Sequence, residues 1–274
     1  MLSQRTSIEA QKRLAIDQHS RQADLFAGRY RAVGCYGSCF QYSRRRLDAL
    51  LDCYIPLDGQ GLRLLDVGCG SGNHIARYSG RGFDAAGVDG SEEMLSHARA
   101  ANPWATIELA DVEHLPFEDA SFDFALCIEV LRYLPDPEPC IREMARVLRP
   151  GGACVATATP ILNLNGYSAI NRIANLIPVG DLTRLKQYFT SSRRLDKQFT
   201  HAGFRRPLVH GVYIGPVNWI EHLAPSVLPD ALKWWEPVDA AVSDLPVLRE
   251  FSNMFLVHAI REDSPSELAR APRS

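Results

Sequence analysis

No run of apolar residues in this 274-residue chain approaches the length of a membrane span, which needs about 20 in a row. The first residues, Met1-Leu2-Ser3-Gln4-Arg5, lead into Glu9, Lys12, Arg13 and Asp17 without the apolar core of a signal peptide. An excess of one charge is also missing. Thirty Lys and Arg against 32 Asp and Glu leave a formal net charge of −2, so no global field draws phosphate polymers, and no nucleic-acid partner is expected. The seven cysteines, at 35, 39, 53, 69, 127, 140 and 154, lack metal-finger spacing: no matching Cys or His pair follows Cys35 and Cys39. No metal site is expected, and scattered thiols of this kind fit a reduced, cytoplasmic chain. A peripheral contact with a membrane surface and the oligomeric state are left open.

What is present is a rhythm. After a helical stretch carrying Ile8, Leu14, Leu25, Phe26 and Tyr30, a second helix is expected around Phe40, Leu47, Leu50 and Leu51, beside Arg44-Arg45-Arg46. From residue 62 short apolar runs alternate with amphipathic segments. Strands are expected at 62–67, 84–88, 106–109, 122–127 and 153–157, the last after a Pro150-Gly151-Gly152 turn. Helices are expected through His74 and Tyr78, over 92–101 behind Ser91, and over 139–148. This alternation predicts an α/β fold with a parallel, doubly wound sheet. Further on, Thr190-Ser191-Ser192 starts a helix that Gly203 stops, and strands at 208–213 and 254–260 flank an aromatic segment. The division expected is a helical arm or cap at 1–60, a main domain at 61–262 with a lid insertion at about 160–190, and a tail at 263–274.

The stretch "LLDVGCGSGNH", residues 64–74, ends a strand in evenly spaced glycines, Gly68, Gly70 and Gly72. Such a turn brings bare backbone to the carboxyl edge of a sheet, where ligands bind, although a tight connection alone would also use it. Asp89 ends the next strand, roughly 20 residues past the first glycine, where a carboxylate accepts hydrogen bonds from both ribose hydroxyls. Together they indicate a nucleoside. The spacing is not the Gly-x-Gly-x-x-Gly of dinucleotide sites, and no Gly-Lys-Ser/Thr follows. Asp66, just ahead of the glycines, would repel a pyrophosphate; it would favour the cationic amino group and sulfonium of S-adenosylmethionine.

Four segments, "LLDVGCGSGNH", "GVDGSEEML", "ADVEHLPFEDASFDFALCIEVLRYLPD" and "EMARVLRPGG", occur in an order that resembles class I S-adenosylmethionine-dependent methyltransferases. The branch most similar is the ubiquinone/menaquinone-methyltransferase-like one, known as methyltransferase type 11, and the match covers about residues 62–160. The resemblance implies a seven-stranded Rossmann-like sheet, with S-adenosylmethionine as co-substrate. It also implies that Gly68, Gly70, Ser71 and Gly72 hold the methionine part, with Asp66 beside them, and that Asp89 and Gly90 lie at the ribose. Asp111 would bond the adenine amino group, the Val112 backbone would meet the ring edge, and Met94 would cover a face of the ring. Ile128-Glu129-Val130 would flank the transferable methyl. Relatives carry histidine in the stretch held here by Leu131-Arg132-Tyr133-Leu134, so no histidine base is inherited from that place.

A small-molecule acceptor with a lipophilic or aromatic body is expected, methylated on oxygen or carbon. Sugar or amine acceptors, and a non-catalytic protein that retains the cofactor fold, are the alternatives. Candidate bases are Glu129, Tyr133 and His114, with His210 and His222 more remote. Acceptor choice is expected in a roof made of residues 30–46 and 160–188, whose Ile161, Leu162, Leu164, Ile170, Ile173 and Ile177 give it an apolar lid. Trp219, Trp234 and Trp235 read as core or as the wall of a lipophilic site. The basic run Arg44-Arg45-Arg46 reads either as a solvated helix face or as the seat of an anion on cofactor or acceptor.

Overall fold

The computed structural model describes residues 2–31, 34–166 and 187–262. Residues 167–186 of the expected lid, including Ile170, Ile173 and Ile177, and the tail at 263–274 lie outside the described residues. The chain opens with α1 (Leu2–Arg21), α2 (Ala23–Arg31) and α3 (Cys39–Tyr54). Ser38 starts α3 by accepting a hydrogen bond from the amide of Gln41 at 3.1 Å. The expected alternation follows as β1 (Arg63–Val67), α4 (Asn73–Ser79), β2 (Asp84–Asp89), α5 (Glu92–Ala101), β3 (Thr106–Leu109), β4 (Phe122–Cys127), α6 (Glu138–Val147) and β5 (Leu148–Pro160). The second half holds β6 (Phe189–Thr190), α7 (Ser192–His201), β7 (Phe204–Gly211), α8 (Val217–Leu223), α9 (Leu228–Val242) and β8 (Phe255–Arg261).

Seven strands lie in the order β3-β2-β1-β4-β5-β8-β7, with β6 pairing β5 off that path. From β3 to β5 every pairing is parallel, whereas β8 runs antiparallel to both β5 and β7. Successive residues serve opposite faces: Leu65 and Val67 pack with Ile141, Met144 and Phe199, while Leu64 packs with Leu51, Ile75 and Tyr78 on the other side. Because β1 and β4 are neighbours and the chain winds outward from them in both directions, their carboxyl ends form the switch point of the sheet. A crevice opens there.

Two expectations need correction. The Pro150-Gly151-Gly152 segment is not a turn ahead of a strand but part of β5 itself, which shifts register against β4 between Phe122 and Phe124. Gly151 supplies the positive φ of 77° that this irregularity needs. The aromatic segment, given no element above, forms two helices, α8 and α9, with Pro229 in the first turn of α9 and Pro237 inside it obscuring the pattern. Trp219 and Trp234 are 46% and 74% exposed rather than core.

The basic run of α3 is only in part the solvated face expected: Arg45 is exposed, but the run is also paired. Arg45 pairs with Glu236 at 2.7 Å, and Arg46 Nε lies 3.2 Å from Asp239, whose carboxylate is fully buried in α9. Asp239 also accepts from the Tyr42 hydroxyl at 2.5 Å and from the Ile214 amide at 2.7 Å. Arg44 stacks over the ring of Tyr30 at 4.7 Å and donates to its carbonyl oxygen. This run therefore bolts α3 to α9 and α2.

Among the described residues no helix is long and apolar enough to cross a membrane, and no group of three or more His, Cys, Asp or Glu is arranged for a metal ion. All seven cysteines are free thiols.

Candidate active site

At the switch point β1 passes straight into the glycine loop. The amides of Gly68 and Cys69 both donate to the carbonyl of Val88 at 2.8 Å, which pins the loop to the end of β2. Gly68 has φ 76°, and a Cβ there would stand 2.2 Å from Val130, so glycine is required on both counts. Gly70 has φ 51° and nothing within 4 Å of where its Cβ would be: the space above it is open.

Beneath the loop lies Asp66, only 1% exposed. Its Oδ2 has no hydrogen-bond partner. Burial, and then the charge of Asp89, push its pKa up to about 7. An orphaned acid of this kind is costly unless a cation comes to it. Asp89 is better provided for: it accepts from the Gly70 amide and from the Ser91 amide, each at 2.9 Å. Its pKa is nevertheless raised, because burial outweighs the two N–H groups.

Asp111, beyond β3, receives Lys12 of α1 at 2.6 Å and the amide of Glu113 at 3.0 Å. Burial works against ionisation here, but the ammonium and the amide outweigh it and hold the carboxyl below its ordinary range. Lys12 itself is buried and reaches Glu113 at 3.0 Å as well. One turn further along α1, Ile16 lies so close over Gly90 that a Cβ there would stand 2.8 Å from its Cδ1. Ser20 and Ser91 exchange a hydroxyl hydrogen bond at 2.7 Å. The first helix thus lies along the ends of β2 and β3.

Beyond β4, Glu129 adopts a left-handed backbone with φ 63°, held by its amide donating to Thr157 Oγ1 at 2.7 Å. Its carboxylate forms an ion pair with Arg132, which also donates to Gln187 at 2.9 Å. As a candidate base Glu129 is therefore already engaged. Burial raises the pKa of Tyr133, whose ring meets His19 edge to face at 4.8 Å.

A cavity of about 1210 Å³ unites these groups. Its floor is the strand ends, with Gly68, Gly70, Ser71, Asp89, Asp111 and Glu129. Gly90, Met94, Val112 and Tyr133 also line it, whereas Asp66 and Gly72 lie behind the loop and His114 does not reach the lining. One wall is α1 and α2 with Lys12, Ile16, His19 and Tyr30, and another is the start of α3 and α8 with Cys39, Phe40, Asn218 and His222. His210 is elsewhere, between Tyr54 at 2.5 Å and Asp244 at 2.7 Å. None of Trp219, Trp234 or Trp235 lines the cavity, and neither do residues 160–166 of the expected lid. Lys12, Ile16 and His19 went unassigned in the sequence, although their i, i+4, i+7 spacing marks one helix face. His74, quoted in the glycine motif, is a cavity residue too.

A doubly wound sheet with a glycine loop over an unpaired acid and a second acid at the end of β2 defines an enzyme class that binds a cationic nucleoside. Residues 65–156 match the model of the methyltransferase domain family. A ubiquinone biosynthesis O-methyltransferase of Psychrobacter arcticus is 30% identical over 61% of this chain and 68% of its own length. A protein of the same description from Alkalilimnicola ehrlichii is 32% identical over 63% of this chain and 72% of its own. In fold, the chain is similar to magnesium protoporphyrin IX methyltransferase from Synechocystis PCC 6803 with bound S-adenosylhomocysteine, at TM-score 0.58 and 16% identity, covering 92% of this chain and all of that one. An S-adenosylmethionine-dependent methyltransferase from Mesorhizobium loti gives TM-score 0.57 and 22% identity, covering 79% and 98%. The chain belongs to the class I S-adenosylmethionine-dependent methyltransferases, and S-adenosylmethionine is its co-substrate.

Proposed function

We propose that the protein methylates a hydroxyl or ring carbon of a small acceptor with an aromatic or lipophilic body. The observation carrying this reading is that the cavity bounded by the glycine loop is also lined by Tyr30, Phe40, Tyr133, Tyr213 and Met254. The O-methyltransferase names of the two relatives favour oxygen. Asp66 would meet the ammonium and sulfonium of the cofactor, and the Gly68–Gly72 backbone with Ser71 would hold its methionine part. Asp89 and Gly90 would hold the ribose. Asp111, Val112 and Met94 would bound the adenine, with the Asp111 carboxylate shared between the base and Lys12. When bound, the cofactor supplies a methyl group already activated on a sulfonium. What remains for the chain is to align the acceptor in line and exclude water. Residues 1–60 act as a cap in this reading, in a cytoplasmic enzyme.

Incubation with methyl-labelled cofactor and matched phenols, quinols, amines and sugars tests the assignment. Label is expected in the hydroxylated aromatics. Label confined to amines or sugars would overturn the acceptor class, and binding without turnover on any acceptor would point to a non-catalytic protein.

A further inference from the structure

We propose that His74 is the general base of the transfer, taking the proton from an acceptor hydroxyl as that oxygen bonds to the methyl group. The inference rests on the O-methylation reading above. His74 is the second residue of α4 and lines the cavity together with Ser71, Asn73 and the α3 residues Phe40 and Ser43. Its ring stacks on Tyr78, with centroids 6.5 Å apart and planes 22° from parallel. Among the described residues neither of its ring nitrogens has a hydrogen-bond partner, so a lone pair is left for a ligand.

The acids on the cavity floor are committed. Glu129 is paired with Arg132, Asp111 with Lys12, and Asp89 with two amides. In His19 and His222, Nδ1–H donates to the carbonyl of Ala15 and of Asn218, which leaves Nε2 of each ring with a lone pair; His74 differs from them in standing on the helix that the glycine loop opens. Among the described residues the hydroxyls of Tyr30 and Tyr133 have no hydrogen-bond partner, but burial raises both, Tyr30 to about 12, so they keep their protons and act as donors. Burial and the guanidinium groups of Arg77, on its own helix, and Arg44, on α3, bring His74 to about 4, so the ring is unprotonated at neutral pH. Asp48 of α3 balances those two cations in ion pairs with Arg77 and, at 3.9 Å, with Arg44.

In the step, the oxygen–carbon bond forms while the carbon–sulfur bond breaks and its electron pair stays on sulfur, leaving S-adenosylhomocysteine. The hydroxyl proton passes to a ring nitrogen of His74 and is then lost to water. So weak a base suffices, because the oxygen becomes far more acidic than a free hydroxyl as it gains the methyl group. The neighbouring guanidiniums then favour prompt release of the proton.

His74→Gln and His74→Ala, assayed on phenols of graded acidity, test this role. Turnover is expected to fall on the order of 10²-fold on phenols that are neutral at the assay pH. The loss should shrink towards nothing on nitrophenols that are already ionised, while S-adenosylhomocysteine affinity stays within about twofold of wild type. Equal losses along the series, no loss, or a collapse of S-adenosylhomocysteine affinity would each overturn the base role while O-methylation stands. If the wild-type protein methylates no phenol of the series, the O-methylation reading fails and the base role with it.

Discussion

Asp89→Ala is expected to weaken S-adenosylhomocysteine binding at least roughly tenfold while the protein stays folded. A charge-assisted hydrogen bond contributes on the order of 1.5–3 kcal/mol, and about 1.4 kcal/mol is a factor of ten in affinity. Two ribose bonds are assigned to this carboxylate, which sits at the end of β2 on the cavity floor. The variant also releases the Gly70 amide, whose 2.9 Å bond to Asp89 shapes the loop over the methionine part. Both losses act in the same direction. Asp89→Asn keeps an oxygen for the Gly70 amide and so separates them: a loss nearly as large as in the alanine variant assigns the effect to the ribose. Calorimetric titration gives the affinities and circular dichroism the folding check. Unchanged affinity in a folded Asp89→Ala protein would refute the assignment.

Asp66→Asn is expected to have two opposite effects. In the free protein the carboxyl titrates near 7 instead of near the ordinary 4, so folding favours its neutral form. Its contribution to stability is therefore complete below about pH 4 and is lost as the pH rises through about 7. Three pKa units correspond to about 4 kcal/mol as an upper bound, so the asparagine variant should melt higher than wild type at pH 8, with a clearly smaller difference at pH 5. Binding runs the other way. A cationic ligand selects the ionised acid, so wild-type affinity for S-adenosylhomocysteine should climb between pH 5.5 and about 7 and then level off. Asp66→Asn should bind more weakly at pH 8 and with a flat profile over the same range. A flat wild-type profile, or a variant that binds as tightly as wild type at pH 8, would contradict a role for Asp66 beside the cation.

Local chemistry explains what the sequence made legible. Parallel strands buried on both faces read as short apolar runs, so β1 to β4 fell within a residue or so of their expected bounds, and Ser91 marked the start of α5 by its side-chain bond to the Met94 amide. The glycine loop was legible for the same reason, since positive φ at Gly68, Gly70 and Gly72 is a property of the residue itself.

Contacts between distant segments were not legible. Lys12 and Asp111 are 99 positions apart, and nothing near either announces the other. Arg45 and Arg46 looked solvated because their acidic partners, Glu236 and Asp239, stand in a helix that Pro237 hides. His114 seemed close to the site because it is three residues from Asp111. Its amide caps the Asp111 carbonyl, and the side chain stays off the cavity lining.

The central claim is that the crevice between β1 and β4 accepts a cationic nucleoside and not a dinucleotide. Titration calorimetry of the wild-type protein at pH 7.5 with S-adenosylhomocysteine, S-adenosylmethionine and NAD addresses it most directly. Saturable binding of both adenosyl compounds with no heat from NAD is the result predicted; saturable binding of NAD with no response to either adenosyl compound would contradict it.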